Sequence, residues 1–213
     1  MRVTEGIYRV DGLRASNAYV VETAGGLLLV DTGIAPAARA VLRFVRGLGY
    51  APQDVRHVVI THCDIDHVGG AAALRAATGA SLAIHADDAA VLAGLTPPTK
   101  GGRAMRAIVR LARFHPVRAD RLLADGDDVA GLRVVHLPGH TDGSIALVRD
   151  DGVVFSGDAM LASRRGVPRP PDPRLALDRE QAAASAGLIR ATGARLLLPG
   201  HGAPARLEPA AQA

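Results

Sequence analysis

The sequence predicts a mixed α/β protein: a four-layer αββα sandwich, with two sheets face to face and helices packed outside them. Three observations point there. The chain falls into two halves, each a run of short apolar strands joined to a helix-periodic stretch. Strands in both halves end in polar residues held in glycine-containing loops. No linker-like stretch separates the halves, so residues 1–213 read as a single domain.

In order, strands are expected at Gly6 to Val10 and Asn17 to Glu22, then a turn at Ala24-Gly25-Gly26, then a strand from Leu27 to Val30 running into Asp31-Thr32-Gly33. Pro36 suits a first helical turn, and Ala38, Val41, Leu42, Val45 and Leu48 repeat at helical spacing until Gly47 and Gly49 end the pattern. A strand at Val55 to Ile60 delivers the chain into a tight polar loop, Thr61-His62-Cys63-Asp64-Ile65-Asp66-His67, after which Ala71 to Thr78 is helical. The second half repeats this logic, with strands at Leu132 to His136, Ile145 to Arg149, Val153 to Ser156 and Arg195 to Leu198, and a helix at Asp178 to Thr192. His140, Asp158 and His201 follow three of these strands in glycine-containing loops.

Between the halves, Arg103, Arg106, Arg110 and Arg113 recur at helical spacing, opposite Met105, Ile108, Val109 and Ala112. The stretch 97–120 is expected to be an amphipathic helical insert, either a solvated basic face or a lid over the site.

Composition narrows the function classes. The 48% apolar content suits a packed globule. No apolar run approaches the roughly 18 residues of a membrane span, so no membrane association is expected. The net charge of +4 is spread along the chain, and aromatic residues make up only 3% of it. That leaves little with which to stack bases, so no nucleic acid partner is expected. A single cysteine, Cys63, and the lack of a signal-peptide pattern at the N-terminus give a cytoplasmic expectation.

The chemistry concentrates in His62, Asp64, Asp66 and His67, within six residues at a strand end. Imidazole and carboxylate together are a ligand set for zinc, iron or manganese, whereas a structural zinc site would want several cysteines. Cys63 reads as a small buried hydrophobe, and His57, His85, His115 and His136 as structural or exposed histidines. Asp31 reads as a turn-forming residue or one that orients a ligand.

With these residues in hand, the chain resembles the metallo-β-lactamase-fold hydrolase superfamily from end to end. The family pattern is HxHxDH after a strand, then a distant His, an Asp and a final His. Here it is matched by His62, Asp64, Asp66, His67, His140, Asp158 and His201, with Asp64 standing where the family has its second histidine. The resemblance implies two divalent metal ions, zinc first, with iron or manganese as alternatives. His62, Asp64 and His140 would hold one ion, Asp66, His67 and His201 the other, and Asp158 would bridge them. It also implies a bridging hydroxide as nucleophile, oriented by Asp66 as the catalytic residue. Asp64 either ligates and hardens the first ligand set toward iron or manganese, which is the expected case, or leaves that site weakly occupied.

The implied activity is hydrolysis of an ester, thioester, lactone or phosphodiester in a small-molecule substrate. The Arg-rich insert leans toward an anionic one, and specificity is expected from 97–120 and 159–174. Homoserine-lactone lactonases carry a tyrosine where this chain has Leu161, common β-lactamases a cysteine where it has Asp158, and glyoxalase II a further helical domain after the last histidine. A non-hydrolytic diiron oxidoreductase and an inactive metal-binding sensor are the alternatives, and a homodimer is left open.

Overall fold

The computed structural model describes residues 1–97 and 115–208. It is a two-sheet α/β sandwich. Strands β1 (Arg2–Thr4), β2 (Ile7–Arg9), β3 (Tyr19–Thr23), β4 (Gly26–Val30), β5 (Val55–Val59), β6 (Ser81–His85) and β7 (Arg121–Leu123) form one sheet in that order. The other sheet runs β15-β14-β11-β10-β9-β8, from β8 (Asp128–Val129), β9 (Leu132–His136), β10 (Ile145–Arg149), β11 (Val153–Gly157), β14 (Leu196–Pro199) and β15 (Ala205–Arg206).

Strand alternation produces the layers, because successive side chains point to opposite faces. Leu28 and Val30 of β4 face the second sheet, where they meet Ile145, Leu147, Phe155 and Leu198, while Leu27 and Leu29 face outward onto Val41, Val45 and Leu74. These last three belong to helices α1 (Ala37–Gly47) and α3 (Ala71–Thr78). On the far side, Ala146, Val154 and Leu197 pack against Ala186 and Ile189 of the helix Arg179–Ala191. That helix starts where Asp178 accepts hydrogen bonds from the N–H groups of Glu180 and Gln181, both at 3.0 Å, which satisfies two otherwise orphaned donors.

Direction matters most for the site. β4, β5 and β6 are parallel, so Asp31, His62 and His85 emerge at one sheet edge. β9 and β11 both run antiparallel to β10, and β14 runs parallel to β11, so the turns leading to His140, Asp158 and His201 also share one edge. The two edges are joined where Ile145 N–H donates to Thr61 O at 2.9 Å and Asn17 N–H to Gly200 O at 2.7 Å.

Several local expectations change. The polar loop after β5 contains a one-turn helix, α2 (Ile65–Val68), whose N-terminal flank is Asp64. His57 lies within β5, as the strand expected at Val55 to Ile60 has it, and His85 ends β6, where it is buried. The stretch 159–174 holds a small hairpin, β12 (Leu161–Ala162) with β13 (Pro168–Arg169). Of the expected helical insert 97–120, residues 98–114 lie outside the described residues, with Arg103, Arg106, Arg110 and Arg113 among them. The part from His115 to Asp120 is irregular rather than helical. Pro116 has no N–H to give a helix, and Val117 N–H and Asp120 N–H donate instead to Leu92 O and Leu82 O. Among the described residues no helix is long and apolar enough to cross a membrane.

Candidate metal centre

At the joined edges the seven singled-out residues come together. Asp64 Oδ2 is 3.0 Å from His140 Nε2 and 3.6 Å from His62 Nε2, and Asp158 Oδ2 is 3.6 Å from His140 Nε2. On the other side, Asp66 Oδ2 is 3.2 Å from His201 Nε2 and 3.7 Å from His67 Nε2. Asp158 reaches this group too, at 3.3 Å from His201 and 3.5 Å from His67. Two adjoining pockets therefore share the Asp158 carboxylate.

Two of the imidazoles are aimed by the bond their other nitrogen makes. His67 Nδ1 lies 2.8 Å from Asp31 Oδ2, and His62 Nδ1 lies 3.0 Å from Thr61 Oγ1, so both Nε2 atoms turn toward the cluster. Asp31 is itself held by Thr61, whose N–H and hydroxyl both donate to its carboxylate at 2.8 Å.

The loops come close enough to demand particular residues. A side chain at Gly200 would bring its Cβ within 2.7 Å of His67 Cε1 and onto Asp158. Residues not singled out from the sequence hold these loops as well. Ser16 Oγ donates to Asp66 O, and Asn17 Nδ2 donates to Pro199 O at 2.8 Å and Gly202 O at 2.9 Å. Tyr19 OH donates to Pro199 O at 2.8 Å, and burial pushes that phenol well above its ordinary pKa. Their common signal is position: they lie at or just before the start of β3, which is antiparallel to β4 and so starts at the edge where Asp31 leaves.

The electrostatics are those of a cation site. Burial alone would depress His67, but the charges of Asp31 and Asp158 and the Asp31 hydrogen bond outweigh it and raise the imidazole to about 9. Hydrogen bonds to Asp158 and Asp66 lift His201 to about 10. Burial opposes ionisation of Asp158 and Asp66. The charge of His67 and the His201 hydrogen bond nonetheless hold Asp158 far below the carboxylate range, and the His201 hydrogen bond with the His67 charge lowers Asp66.

Two buried atoms at the centre, His62 Nε2 and Asp158 Oδ1, make no hydrogen bond among the described residues. A buried polar atom without one is costly unless something else occupies its lone pair. His62, His140 and Asp158 form one group with ligand atoms within 4.8 Å of one another, and Asp66, His67 and His201 form a second. The rings within each pocket are splayed, His62 to His140 at 85° and His67 to His201 at 73°, so the ring planes can converge on one point. Nitrogen and oxygen donors in this arrangement fit divalent zinc, iron or manganese.

A third group, His85, Asp87 and His136, has similar spacing but a different geometry. The rings of His85 and His136 stack at 3.9 Å and 13°, and His136 Nε2 donates to Asp142 O at 2.8 Å. One ion cannot lie in both of two parallel ring planes. Cys63 is buried in the outer core and His115 is exposed, as expected from the sequence.

The family profile described as "Metallo-beta-lactamase superfamily" matches residues 11–201. Among curated proteins, the "Probable metallo-hydrolase Rv2300c" of Mycobacterium tuberculosis is 30% identical over 180 residues, 66% of this chain and 55% of its own length. The "Acyl-coenzyme A thioesterase MBLAC2" of Gallus gallus is 32% identical over 167 residues, 68% of this chain and 57% of its own. A "Hydroxyacylglutathione hydrolase" of Rhodospirillum rubrum is 28% identical over 170 residues, 76% and 55%. The chain thus spans a little over half the length of these relatives. Among solved structures, TTHA1623 "in a di-iron-bound form" is 27% identical with a TM-score of 0.70, covering 93% of both chains.

Proposed function

The chain belongs to the metallo-β-lactamase superfamily, and from that premise we propose that it is a dinuclear metal-dependent hydrolase, with thioesters first among ester, thioester, lactone and phosphodiester substrates. The observation that carries the reading is the pair of adjoining pockets, with Asp158 within 3.6 Å of His140 on one side and 3.3 Å of His201 on the other, and with His62 Nε2 and Asp158 Oδ1 buried and without hydrogen bonds among the described residues. The thioester preference is supported by the names of relatives, among them the acyl-coenzyme A thioesterase.

His62, Asp64 and His140 would hold one ion, Asp66, His67 and His201 the other, with Asp158 between them. Ions held there would supply a water with its pKa lowered toward about 7 and Lewis-acid polarisation of the attacked carbonyl. The protein's own contribution is orientation. Asp66, about a quarter exposed and already bonded to His201, is placed to accept the hydrogen of an attacking water and fix its lone pair toward the substrate. Asp31 and Thr61 keep His67 and His62 in the tautomers that face the pockets. No serine or cysteine nucleophile is required, in keeping with Cys63 lying buried in the outer core. An anionic substrate is the expectation for the basic stretch that includes Arg106 and Arg110.

The test is a metal-stripped preparation reloaded separately with zinc, iron and manganese and assayed on one thioester, one aryl ester, one lactone and one phosphodiester. Hydrolysis of the thioester that is lost on chelation and lost again in Asp66→Asn supports the reading, and a loaded protein inert toward all four classes overturns it. Replacing Arg106 and Arg110 with Gln should raise KM for an acyl-CoA and leave a neutral ester unchanged. Asp64 and the di-iron form of TTHA1623 favour one second reading, a non-hydrolytic diiron oxidoreductase. Oxygen consumption by the iron-loaded protein without hydrolysis would select it.

A further inference from the structure

We infer that Asp88 is a positioning residue for the first pocket alone, a single carboxylate that fixes the spacing of His62, Asp64 and His140; this deepens the metal reading above and rests on it. Asp88 closes the turn Ala86–Asp88 after β6, is buried, and is followed by a short helix, Ala89–Leu92, anchored in the core by the fully buried Leu92. It lies outside both candidate pockets and bonds to the neighbours of the first pocket's ligands.

Its bonds reach the ligand loops of both halves of the fold. Asp88 Oδ2 accepts the N–H of Cys63 at 2.7 Å and the hydroxyl of Thr141 at 2.8 Å, and Oδ1 accepts the N–H of Gly143 at 3.0 Å. Cys63 stands between His62 and Asp64, and Thr141 directly follows His140. Every protein ligand proposed for the first pocket, the shared Asp158 aside, is thus one residue from a group that Asp88 holds. The second pocket is tied elsewhere: Asp66 and His67 lie in the helical turn Ile65–Val68, and His201 hangs on the Asn17 and Tyr19 contacts.

The fit around this carboxylate is close. A Cβ built at Gly143 would lie 2.7 Å from Asp88 N, 2.8 Å from its Cβ and 2.8 Å from its Cγ, so glycine is what lets the 140–144 loop approach. Thr141 is held in turn, its N–H donating to Ser144 Oγ at 3.0 Å and its hydroxyl lying 2.8 Å from the same oxygen. A buried carboxylate can only accept, and the groups aimed at it are all donors, so an amide in its place would turn a donor toward a donor. Groups that orient metal ligands typically change metal affinity about tenfold to a hundredfold when replaced.

The experiment is a zinc titration of the metal-stripped full chain, read by calorimetry and repeated with cobalt(II) for a spectrum of each site. It compares wild type with Asp88→Asn, Thr141→Val and Thr141→Ser, with urea denaturation of each metal-free protein alongside. Wild type is expected to bind two ions. Asp88→Asn and Thr141→Val should lose about tenfold or more in affinity at one site with the other unchanged, and Thr141→Ser, which keeps the hydroxyl, should restore it. Thr141→Val keeps the inference testable if Asp88→Asn does not fold. Unchanged affinity at both sites in the variants overturns the positioning role and leaves the hydrolase reading standing. Equal losses at both sites mean general damage and also overturn it. A wild type that takes up no ion overturns the metal reading, and this inference with it.

Discussion

Asp31 Oδ2 lies 2.8 Å from His67 Nδ1, and the residue that makes this contact sits at φ 59°, in the left-handed region that residues other than glycine rarely adopt. Such a conformation costs on the order of 1–3 kcal/mol and persists where surrounding bonds determine it. Here those bonds are the two from Thr61 and the one to His67. The strained turn at the end of β4 therefore serves the second pocket: it fixes which nitrogen of His67 faces inward.

Replacing Asp31 with Asn should separate charge from backbone, because Asn tolerates the left-handed conformation while losing the anionic acceptor. Asp31→Asn is expected to fold and to lose about tenfold to a hundredfold in affinity for the ion at Asp66, His67 and His201. Metal titration of the stripped protein reads this directly. Unchanged affinity would show that His67 needs no such partner.

The pH dependence should reverse on metal loading. In the metal-free protein His67 titrates at about 9 and His201 at about 10, both above the ordinary imidazole value. A raised folded-state pKa contributes stability that is full below about 6.5 and is lost as pH climbs through the folded value. Metal-free protein should therefore lose stability between about pH 6.5 and 10, as followed by denaturation at stepped pH. Loading should release protons across the same window and bind more tightly as pH rises, since an ion must displace them. A metal-free stability profile that is flat from pH 7 to 10 would contradict the assignment.

Much of this centre was legible in the sequence, because strand ends are. Val55 to Val59 carries β-branched, apolar residues that suit a buried strand, and the residues that leave a buried parallel strand lie at the sheet edge, so His62 to His67 could be placed from order alone. The same logic placed Asp158 and His201. Asp88 and Asn17 were not legible, since each acts through backbone groups of loops far away in the chain, and no spacing rule connects residue 17 to 200 or 88 to 143. Short edge strands such as β7 and β8 carry too few residues to show a period. The turn of helix at Ile65–Val68 hid in a stretch that reads as polar loop, because no side chain caps it and its Asp66 and His67 carbonyls are instead held by Ser16 and Thr32 from other loops.

Asn17 should matter more than its place just before a strand suggests. Its side chain gives two hydrogen bonds to carbonyls of the loop that carries His201, each contributing about 1 kcal/mol net. Asn17→Ala is expected to lower stability by about 1–3 kcal/mol. Asn17→Asp should cost more, because a carboxylate would then face Pro199 O and Gly202 O with nothing to donate. Urea denaturation of the three proteins gives the order, and an Asn17→Asp variant as stable as wild type would contradict it.

The metal that the first pocket selects should depend on Asp64. This residue places a carboxylate 3.0 Å from His140 Nε2 and 3.6 Å from His62 Nε2, where the family pattern has an imidazole. Its side chain is about a quarter exposed, which leaves room for a larger ring. Exchanging a hard anionic oxygen for a neutral nitrogen removes one negative charge from the pocket and moves its preference away from manganese and iron toward zinc. Asp64→His should therefore raise the ratio of zinc to iron taken up by stripped protein in a buffer containing both, by about tenfold if Asp64 ligates directly. Competitive dialysis with elemental analysis measures that ratio, and Asp64→Asn, which keeps shape but not charge, isolates the electrostatic part. A ratio that stays the same in Asp64→His would mean that the carboxylate does not touch the ion, and that His62 and His140 set the pocket's preference with Asp158.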